Sequence, residues 1–181
     1  MIRANILEEI HKQYKQTHDF AKGVLENETA PPEAGKNKVT PPKHLTKKDA
    51  KLFVQGAEIY NREAHCVTCH QADGKGLPDS GFPPLSNSLW VSGDPERLVK
   101  LTIKGLMGPI EVNGRKYPGQ VPMTPFEHLL KDDEIAAVLT YTRNSFGNKA
   151  SVIQSKQVAE IRQNIKDFVG LYQPTDLLKE H

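Results

Sequence analysis

The sequence predicts an all-α fold, and three observations lead to that prediction. Apolar residues recur at three- and four-residue steps in several segments, as one buried helix face requires. Helix-start signals precede two of those segments, Thr46 before one and Asp94-Pro95 before another. The connecting segments are rich in glycine and proline, and the one strand-like piece turns at Asn113-Gly114, a hairpin signal.

The chain divides into three parts in this prediction. Residues 2–28 carry a helical apolar stripe, and residues 29–48 hold two Pro-Pro pairs among lysines, a composition that resists compact structure. We therefore expect a helical extension and linker at 1–46, a central domain at 47–148, and a C-terminal helical extension at 149–181 packed on that domain.

Five further helices are predicted from the central domain onward. They cover about 47–61, 65–71, 94–105, 131–145 and 155–169. Asp132, Asp133 and Glu134 place negative charge at the positive end of the fourth of these helices, and Gly147 follows as a stop signal. The fifth helix presents an apolar face made of Val158, Ile161, Ile165 and Phe168.

Length and charge exclude some functions. The 181 residues suffice for one ordinary domain plus extensions. A formal net charge of +2 and a pI near 8.4 are too small to indicate a nucleic-acid partner. No apolar run approaches a membrane span, so no transmembrane segment is expected in this chain. The first residues carry acids where a signal peptide has its apolar core.

The motif Cys66-Val67-Thr68-Cys69-His70 is the most informative feature of the sequence. Residues three apart lie on the same face of a helix, so Cys66 and Cys69 can each form a thioether to one haem vinyl group. His70 then lies under the iron, where its imidazole can be the proximal ligand. These are the only two cysteines of the chain. The motif therefore predicts covalently bound haem c.

Other interpretations of the motif are weaker. A thioredoxin-like redox pair sits in a strand-to-helix turn, and no parallel-sheet pattern flanks these cysteines. A structural zinc site needs two more ligands at compatible spacing. A disulfide between such close residues would close a tiny loop and stabilise little.

Residues 47–148 resemble class I c-type cytochromes in the order and spacing of their helices, haem motif and loops. The resemblance implies an all-α fold around one covalently bound haem, in which the first and last helices cross. In that family a glycine on the first helix meets an aromatic residue on the last, and Gly56 and Tyr141 occupy these positions. A missing side chain lets two helices approach closely.

The resemblance also implies a methionine ligand in the loop before the last core helix. Met123 lies there, within 121–126, although Thr124 separates it from the proline that commonly follows in the family. Prolines on both sides stiffen the loop, which helps to hold a weak thioether–iron bond. Met107 and His128 are the alternatives, and His128 would give a bis-histidine site of lower potential.

A proline-bearing loop after the motif completes the proximal side in the family. It supplies a backbone carbonyl to the Nδ1–H of the proximal histidine, and here Pro83 or Pro84 stands in that place. Packing is the expected role of the Trp90 ring, and an indole N–H that reaches a haem propionate is the alternative. The side chains expected to line an apolar haem pocket are Phe82, Leu85, Trp90, Leu98, Leu101, Ile103 and Phe126.

Three strings, at 82–94, 105–114 and 139–148, are similar to the cytochrome c domains of large exported bacterial quinoprotein-type sugar or alcohol dehydrogenases. Related domains occur in multidomain proteins of the Planctomycetes. The similarity covers roughly 50–165 and implies a mono-haem electron-transfer domain that is not itself an enzyme.

The same similarity implies redox partners and a location. Electrons would come from an attached or partner dehydrogenase and pass to a cytochrome or oxidase, in the periplasm or otherwise outside the cytoplasm. The chain would then be an excised piece of a larger exported protein or a mature chain with a new starting Met. The rival hypothesis is a haem domain with an open or labile sixth site that acts as a sensor or peroxidase.

Overall fold

The computed structural model describes residues 39–62, 64 and 66–178. The predicted helix over 2–28 and most of the predicted linker lie outside these residues and stay predictions. Within the described residues the fold is mostly helical, with one two-stranded antiparallel sheet, as the sequence predicted. None of the described helices has the length and apolar character needed to cross a membrane.

The described elements follow one another from residue 47 to residue 178. They are α1 (Lys47–Asn61), α2 (Cys66–His70), a 3₁₀ turn (Pro78–Ser80), α3 (Leu89–Ser92), α4 (Pro95–Lys104), β1 (Ile110–Val112), β2 (Arg115–Tyr117), α5 (Asp132–Arg143), α6 (Ser155–Asn164) and α7 (Pro174–Leu178). The turn and the helices α3 and α7 were not predicted, because segments of three to five residues are too short to show a periodic pattern. Helix α6 is shorter than predicted and ends at Asn164.

Two helices begin where their cap residues predicted. Thr46 Oγ1 accepts a hydrogen bond from the backbone N–H of Asp49 at 3.2 Å, at the start of α1. The Asp94 carboxylate accepts one from the backbone N–H of Arg97 at 2.7 Å, at the start of α4. Each cap satisfies an N–H group that has no partner within its own helix.

Helices α1 and α5 cross at Gly56, as predicted. A Cβ at this position would overlap the carbonyl of Ala137 and lie only 2.8 Å from Cβ of Tyr141. The Tyr141 ring packs against Phe53 and Tyr60, with ring centroids 5.1 and 5.4 Å away. The absent side chain therefore brings the two helix backbones together, and aromatic rings fill the space beside the crossing.

The C-terminal segment contributes to the same apolar core as α1, α4 and α5. Its buried members of that core are Ile153, Val158, Ile161, Ile165, Tyr172 and Leu177. The described part of the segment therefore packs on the central helices.

Backbone hydrogen bonds join the C-terminal segment to the loop that contains Met123. The N–H of Met123 donates to the carbonyl of Leu106 at 2.9 Å. On the other side of this strand-like contact, the N–H of Met107 donates to the carbonyl of Tyr172 at 2.9 Å, and the N–H of Tyr172 donates to Gly105 at 3.2 Å. Residues around 105–107 thus lie between the Met123 loop and the C-terminal segment and connect them.

Candidate functional site

A mostly apolar cavity of about 420 Å³ lies among α2, the loop that follows it, the β hairpin and the segment 121–126. Most of the residues predicted to form the site are found in its wall. These are Cys66, Cys69, His70, Phe82, Pro83, Pro84, Leu85, Trp90, Leu98, Leu101, Met123 and Phe126. The fold therefore brings together side chains that are up to 60 residues apart in the sequence.

Cys66 and Cys69 both line this cavity, and no disulfide joins them. Burial raises the pKa of Cys66 to about 12 and also raises the pKa of Cys69. A redox-active Cys-x-x-Cys pair instead needs a thiol whose pKa is lowered. Both thiols have raised pKa values instead, so their surroundings do not favour the thioredoxin-like alternative.

His70 is oriented by a backbone carbonyl. Its Nδ1 lies 2.9 Å from the carbonyl oxygen of Pro83, which selects Pro83 over Pro84 as the partner. A carbonyl only accepts, so Nδ1 carries the proton and Nε2 keeps the lone pair that can bind a metal. Burial lowers the pKa of His70, although the hydrogen bond to Pro83 opposes this, and the neutral imidazole is therefore favoured.

A glycine allows the loop to reach His70. Gly76 has a φ of 68°, and a Cβ there would lie 2.6 Å from the carbonyl oxygen of Pro83. The N–H of Gly76 also donates to the carbonyl of His70 at 3.0 Å. Only a residue without a side chain lets the backbone pass this close on both sides.

Met123 is the sulfur side chain that the 121–126 segment contributes to the cavity wall. The segment is tied to α4, because the N–H of Phe126 donates to the carbonyl of Thr102 at 3.0 Å. The two alternative ligands do not line the cavity. Met107 is 42% exposed, and the side chain of His128 is 90% exposed.

One prediction about the pocket is wrong, and one alternative is disfavoured. The indole Nε1–H of Trp90 donates to the backbone carbonyl of Glu111 at 3.1 Å, so this group already has a partner within the protein, and packing is the favoured role of the ring. Ile103 is fully buried in the apolar core and does not line the cavity. It lies on a face of α4 different from that of Leu98 and Leu101, which do line it.

The β hairpin forms a wall of the cavity that sequence reasoning missed. Its side chains in the lining are Ile110, Val112 and Tyr117. Asn113 Nδ2 donates to the carbonyl of Ser86 at 2.9 Å, and Arg115 pairs with Asp79 at 3.0 Å. The alternation of apolar and polar residues in the first strand was the available signal, but three residues are too few to interpret alone.

The donor set fits haem c. Two thiols three residues apart on one helix, a neutral imidazole with an available Nε2, and a thioether all line one apolar cavity. Thioether attachment uses the thiols, and iron in electron-transfer haem accepts imidazole and thioether ligands. A helical fold built around such a donor set defines the class of haem-binding electron carriers.

Comparison of the sequence with known protein families supports the assignment to haem-binding electron carriers. The sequence profile of the cytochrome c family matches residues 53–145, more than half of the chain. The chain belongs to the cytochrome c family. As a member of that family it carries covalently bound haem c with its iron, and it acts in electron transport.

Individual relatives extend this finding. A cytochrome c-552 of Thermus thermophilus is 43% identical over 101 residues, which make up 54% of this chain and 72% of that protein. The cytochrome c subunit of a quinone alcohol dehydrogenase of Gluconobacter oxydans is 31% identical over 110 residues, or 22% of that subunit. The fructose dehydrogenase cytochrome subunit of Gluconobacter japonicus is 30% identical over 108 residues. The chain thus spans only about a fifth of these dehydrogenase subunits.

Proposed function

We propose that this chain is a mono-haem domain in which Cys66 and Cys69 hold the haem and His70 and Met123 are the axial ligands. The observation that carries the proposal is the Nδ1 contact of His70 with Pro83, because it fixes the tautomer that leaves Nε2 available. The presence of the Met123 side chain in the same cavity supports it as the second ligand.

The protein contributes orientation and surroundings to electron transfer. When bound, the haem iron takes up one electron as Fe(III) becomes Fe(II) and later gives it up again. The Pro83 carbonyl increases the basicity of His70 through the shared proton. The apolar walls exclude water and so favour the less charged ferrous state. The backbone contacts of Met123 with Leu106 hold the weak thioether ligand in position.

We further propose that the electron donor is a dehydrogenase, attached or separate, and that the acceptor is another cytochrome or an oxidase. The names of the relatives support the donor, since several are cytochrome subunits of alcohol, fructose and gluconate dehydrogenases. An exported location, such as the periplasm, follows from the haem attachment, because bacteria make covalent haem c on the outer side of the inner membrane.

Covalent attachment is tested by denaturation. Acid–acetone extraction should leave the haem on the protein, and the mass should exceed that of the polypeptide by one haem. Cys66→Ala and Cys69→Ala should each reduce the number of thioether bonds by one. Haem that is fully extracted from the wild-type protein would refute the assignment of both cysteines.

Distal ligation is tested with a matched pair of methionine variants. Met123→Ala should abolish the weak red absorption band of Met-ligated ferric haem and lower the reduction potential, because a thioether stabilises ferrous iron. Met107→Ala, in the exposed position, should leave both unchanged. The opposite result would assign the ligand to Met107, and a wild-type spectrum without this band would favour the open-site sensor or peroxidase.

A further inference from the structure

Pro83 and Pro84 lack the backbone N–H groups that would help to fix their own position in the loop after the haem motif. The carbonyl of Pro83 nevertheless accepts the hydrogen bond from His70 Nδ1 at 2.9 Å. The position of this carbonyl therefore depends on the residues at either end of the proline pair. At one end, Phe82 exchanges two backbone hydrogen bonds with Leu77, at 3.0 and 3.1 Å.

At the other end, both backbone groups of Leu85 are bonded. Its N–H donates to the carbonyl of Gly74 at 2.7 Å, and the N–H of Ser86 donates to the same carbonyl at 3.0 Å. The carbonyl of Leu85 accepts from Nδ2 of Asn148 at 2.9 Å. Because Asn148 is 63 residues further along the chain, this bond joins the loop to the turn that follows α5.

The side-chain amide of Asn148 acts as a double donor. The residue is 8% exposed, and its Nδ2 also donates to the carbonyl of Thr142 at 2.9 Å, near the end of α5. Carbonyl oxygens only accept, so both amide hydrogens are used and they determine the orientation of the amide. Its Oδ1 is buried and has no partner among the residues that the structure describes. The two donated bonds are thus what holds this side chain in place.

A strained turn leads from α5 to Asn148. Phe146 and Gly147 have φ values of 57° and 84°, in the left-handed region that a bulky residue such as Phe rarely adopts. The Phe146 ring lies against the backbone of Gly74, where a Cβ would be 2.4 Å from the ring atom Cγ. Gly74 is the residue whose carbonyl holds Leu85. Backbone strain persists only where the surrounding structure maintains it, and it is concentrated at functional sites.

We propose that Asn148 is a positioning residue that holds the Pro83 carbonyl at hydrogen-bond distance from His70 Nδ1. The proposal rests on His70 as the proximal ligand, as proposed above. Asn148 does not line the cavity, and it acts through Leu85. The Phe146 ring supports the same loop at Gly74. The basicity of the imidazole then depends on a side chain in the turn after α5.

Nuclear magnetic resonance of the haem-loaded full chain in its ferrous state tests the proposal. Asn148→Ala leaves the carbonyls of Leu85 and Thr142 without this donor, so the loop should move away from His70. The Nδ1–H resonance of His70 should then move upfield, as expected for a weaker hydrogen bond. Its proton should exchange with D₂O roughly tenfold faster than in the wild type, the factor expected when hydrogen bonds of ordinary strength are lost.

Thr140→Val is the matched control. Thr140 is 0% exposed and lies on α5, and its Oγ1 accepts from the N–H of Ile153 at 3.0 Å. The variant therefore removes a buried bond between a side chain of α5 and the backbone, but one that does not involve the loop. It should lower the stability of the protein without changing the exchange rate or the shift of the His70 proton.

The reduction potential separates a positioning role from general loosening of the fold. A weaker bond to Pro83 makes the imidazole less basic, which destabilises ferric iron and raises the potential. Water that enters an apolar pocket stabilises ferric iron and lowers the potential instead. Asn148→Ala should therefore raise the potential, and Thr140→Val should leave it unchanged.

The wild-type protein provides a measurement that does not depend on folding of a variant. Because opening of the loop breaks these bonds together, the His70 Nδ1–H, the Leu85 N–H and the Asn148 Nδ2 protons should exchange with one common opening free energy. A different opening free energy for the His70 proton would overturn the proposal, as would an unchanged or lower potential in Asn148→Ala. Failure of the proposed function is distinguishable, because wild-type His70 would then lack the large ring-current shift of a haem ligand.

Discussion

At the scale of single residues, Gly56 determines how closely α1 and α5 approach. Gly56→Val should lower the free energy of unfolding by about 1–3 kcal/mol or more, because the new side chain meets the Ala137 carbonyl and the Tyr141 Cβ. Urea denaturation of the haem-loaded protein measures the change. Gln55→Val adds the same side chain at an exposed neighbouring position of α1 and should cost less than about 0.7 kcal/mol. Equal losses of unfolding free energy in Gly56→Val and Gln55→Val would contradict the close contact of α1 with α5 at Gly56.

The pair of Lys104 and Glu127 should make stability depend on pH. Lys104, whose side chain is 6% exposed, donates from Nζ to Glu127 Oε1 at 2.7 Å and holds the pKa of Glu127 below its usual value. A carboxyl group with a lowered folded pKa stabilises the fold above its unfolded pKa of about 4.3, and this stabilisation is lost as pH falls through the folded pKa.

Glu127→Gln should therefore weaken the dependence of unfolding free energy on pH below about 5. At pH 7 it should cost about 1–3 kcal/mol, since the buried ammonium of Lys104 loses its carboxylate. Denaturation at a series of pH values measures both effects. Glu160→Gln is the control, because Glu160 pairs with Lys156 at 3.7 Å on the exposed surface. A Glu127→Gln profile parallel to the wild type would show that the pair does not titrate as described.

Sequence reasoning can group single residues into one site where these residues are neighbours in the chain. Cys66, Cys69 and His70 form one motif, and the fold subsequently places them in one cavity wall. The partner of the Trp90 indole was not predictable, because the carbonyl of Glu111 comes 21 residues later in a hairpin whose position depends on tertiary contacts. The choice of Pro83 over Pro84 similarly depends on the loop conformation.

At the scale of elements, Arg162 joins α6 to the segment between the Met123 loop and α5. It donates from Nε to Asp132 at 2.6 Å, from Nη1 to the carbonyl of Glu127 at 2.7 Å, and from Nη2 to that of Leu130 at 3.0 Å. Because this planar fork cannot be reproduced by an ammonium group, Arg162→Lys should recover only part of the stability that Arg162→Met loses.

The expected loss for Arg162→Met is about 1–3 kcal/mol, with the Met–iron band disappearing at a lower temperature than in the wild type. Thermal denaturation followed at that band and by circular dichroism measures both. Arg115→Met removes an exposed pair with Asp79 and should cost at most about 1 kcal/mol. If Arg162→Met lowers the free energy of unfolding no more than Arg115→Met does, the Arg162 guanidinium does not stabilise the contact between α6 and the segment before α5.

Element boundaries were predictable where a cap was present and less so elsewhere. The apolar stripe of the last predicted helix continued to Phe168, yet α6 ends at Asn164. Ile165 is buried and Phe168 stacks on Tyr172 with ring centroids 4.0 Å apart, so these residues pack on the core from a turn after the helix. Apolar periodicity reports burial, and here burial extends beyond the helical backbone.

At the scale of the whole molecule, the C-terminal segment should be essential to the domain. A chain that ends at residue 148 lacks the buried Ile153, Val158, Ile161 and Leu177, and should melt more than about 10 °C below the full chain or fail to fold. Equal melting temperatures for the chain that ends at residue 148 and the full chain would show that the C-terminal segment is not essential to the domain.

The fold class as a whole was predictable because two independent signals agreed. The helical pattern indicated an all-α domain, and the Cys66–His70 motif indicated what the helices surround. Contacts between residues far apart in the chain could not be predicted from the sequence. Arg143 donates to the carbonyls of Val91 and Ser151 from a fully enclosed position, and a single arginine in an otherwise ordinary helix gave no sign of this.

The β hairpin should be the first part of the cavity wall to open in the native state. Its strands have three residues each, and a hairpin of that size is marginal without support. Two of its attachments, at Asn113 and Arg115, are exposed, whereas the α1–α5 crossing is buried. Amide hydrogens in 110–117 should therefore exchange with solvent deuterium by local fluctuation, well before those of α5. Small solutes would then reach the haem crevice from this side while the helical core stays intact.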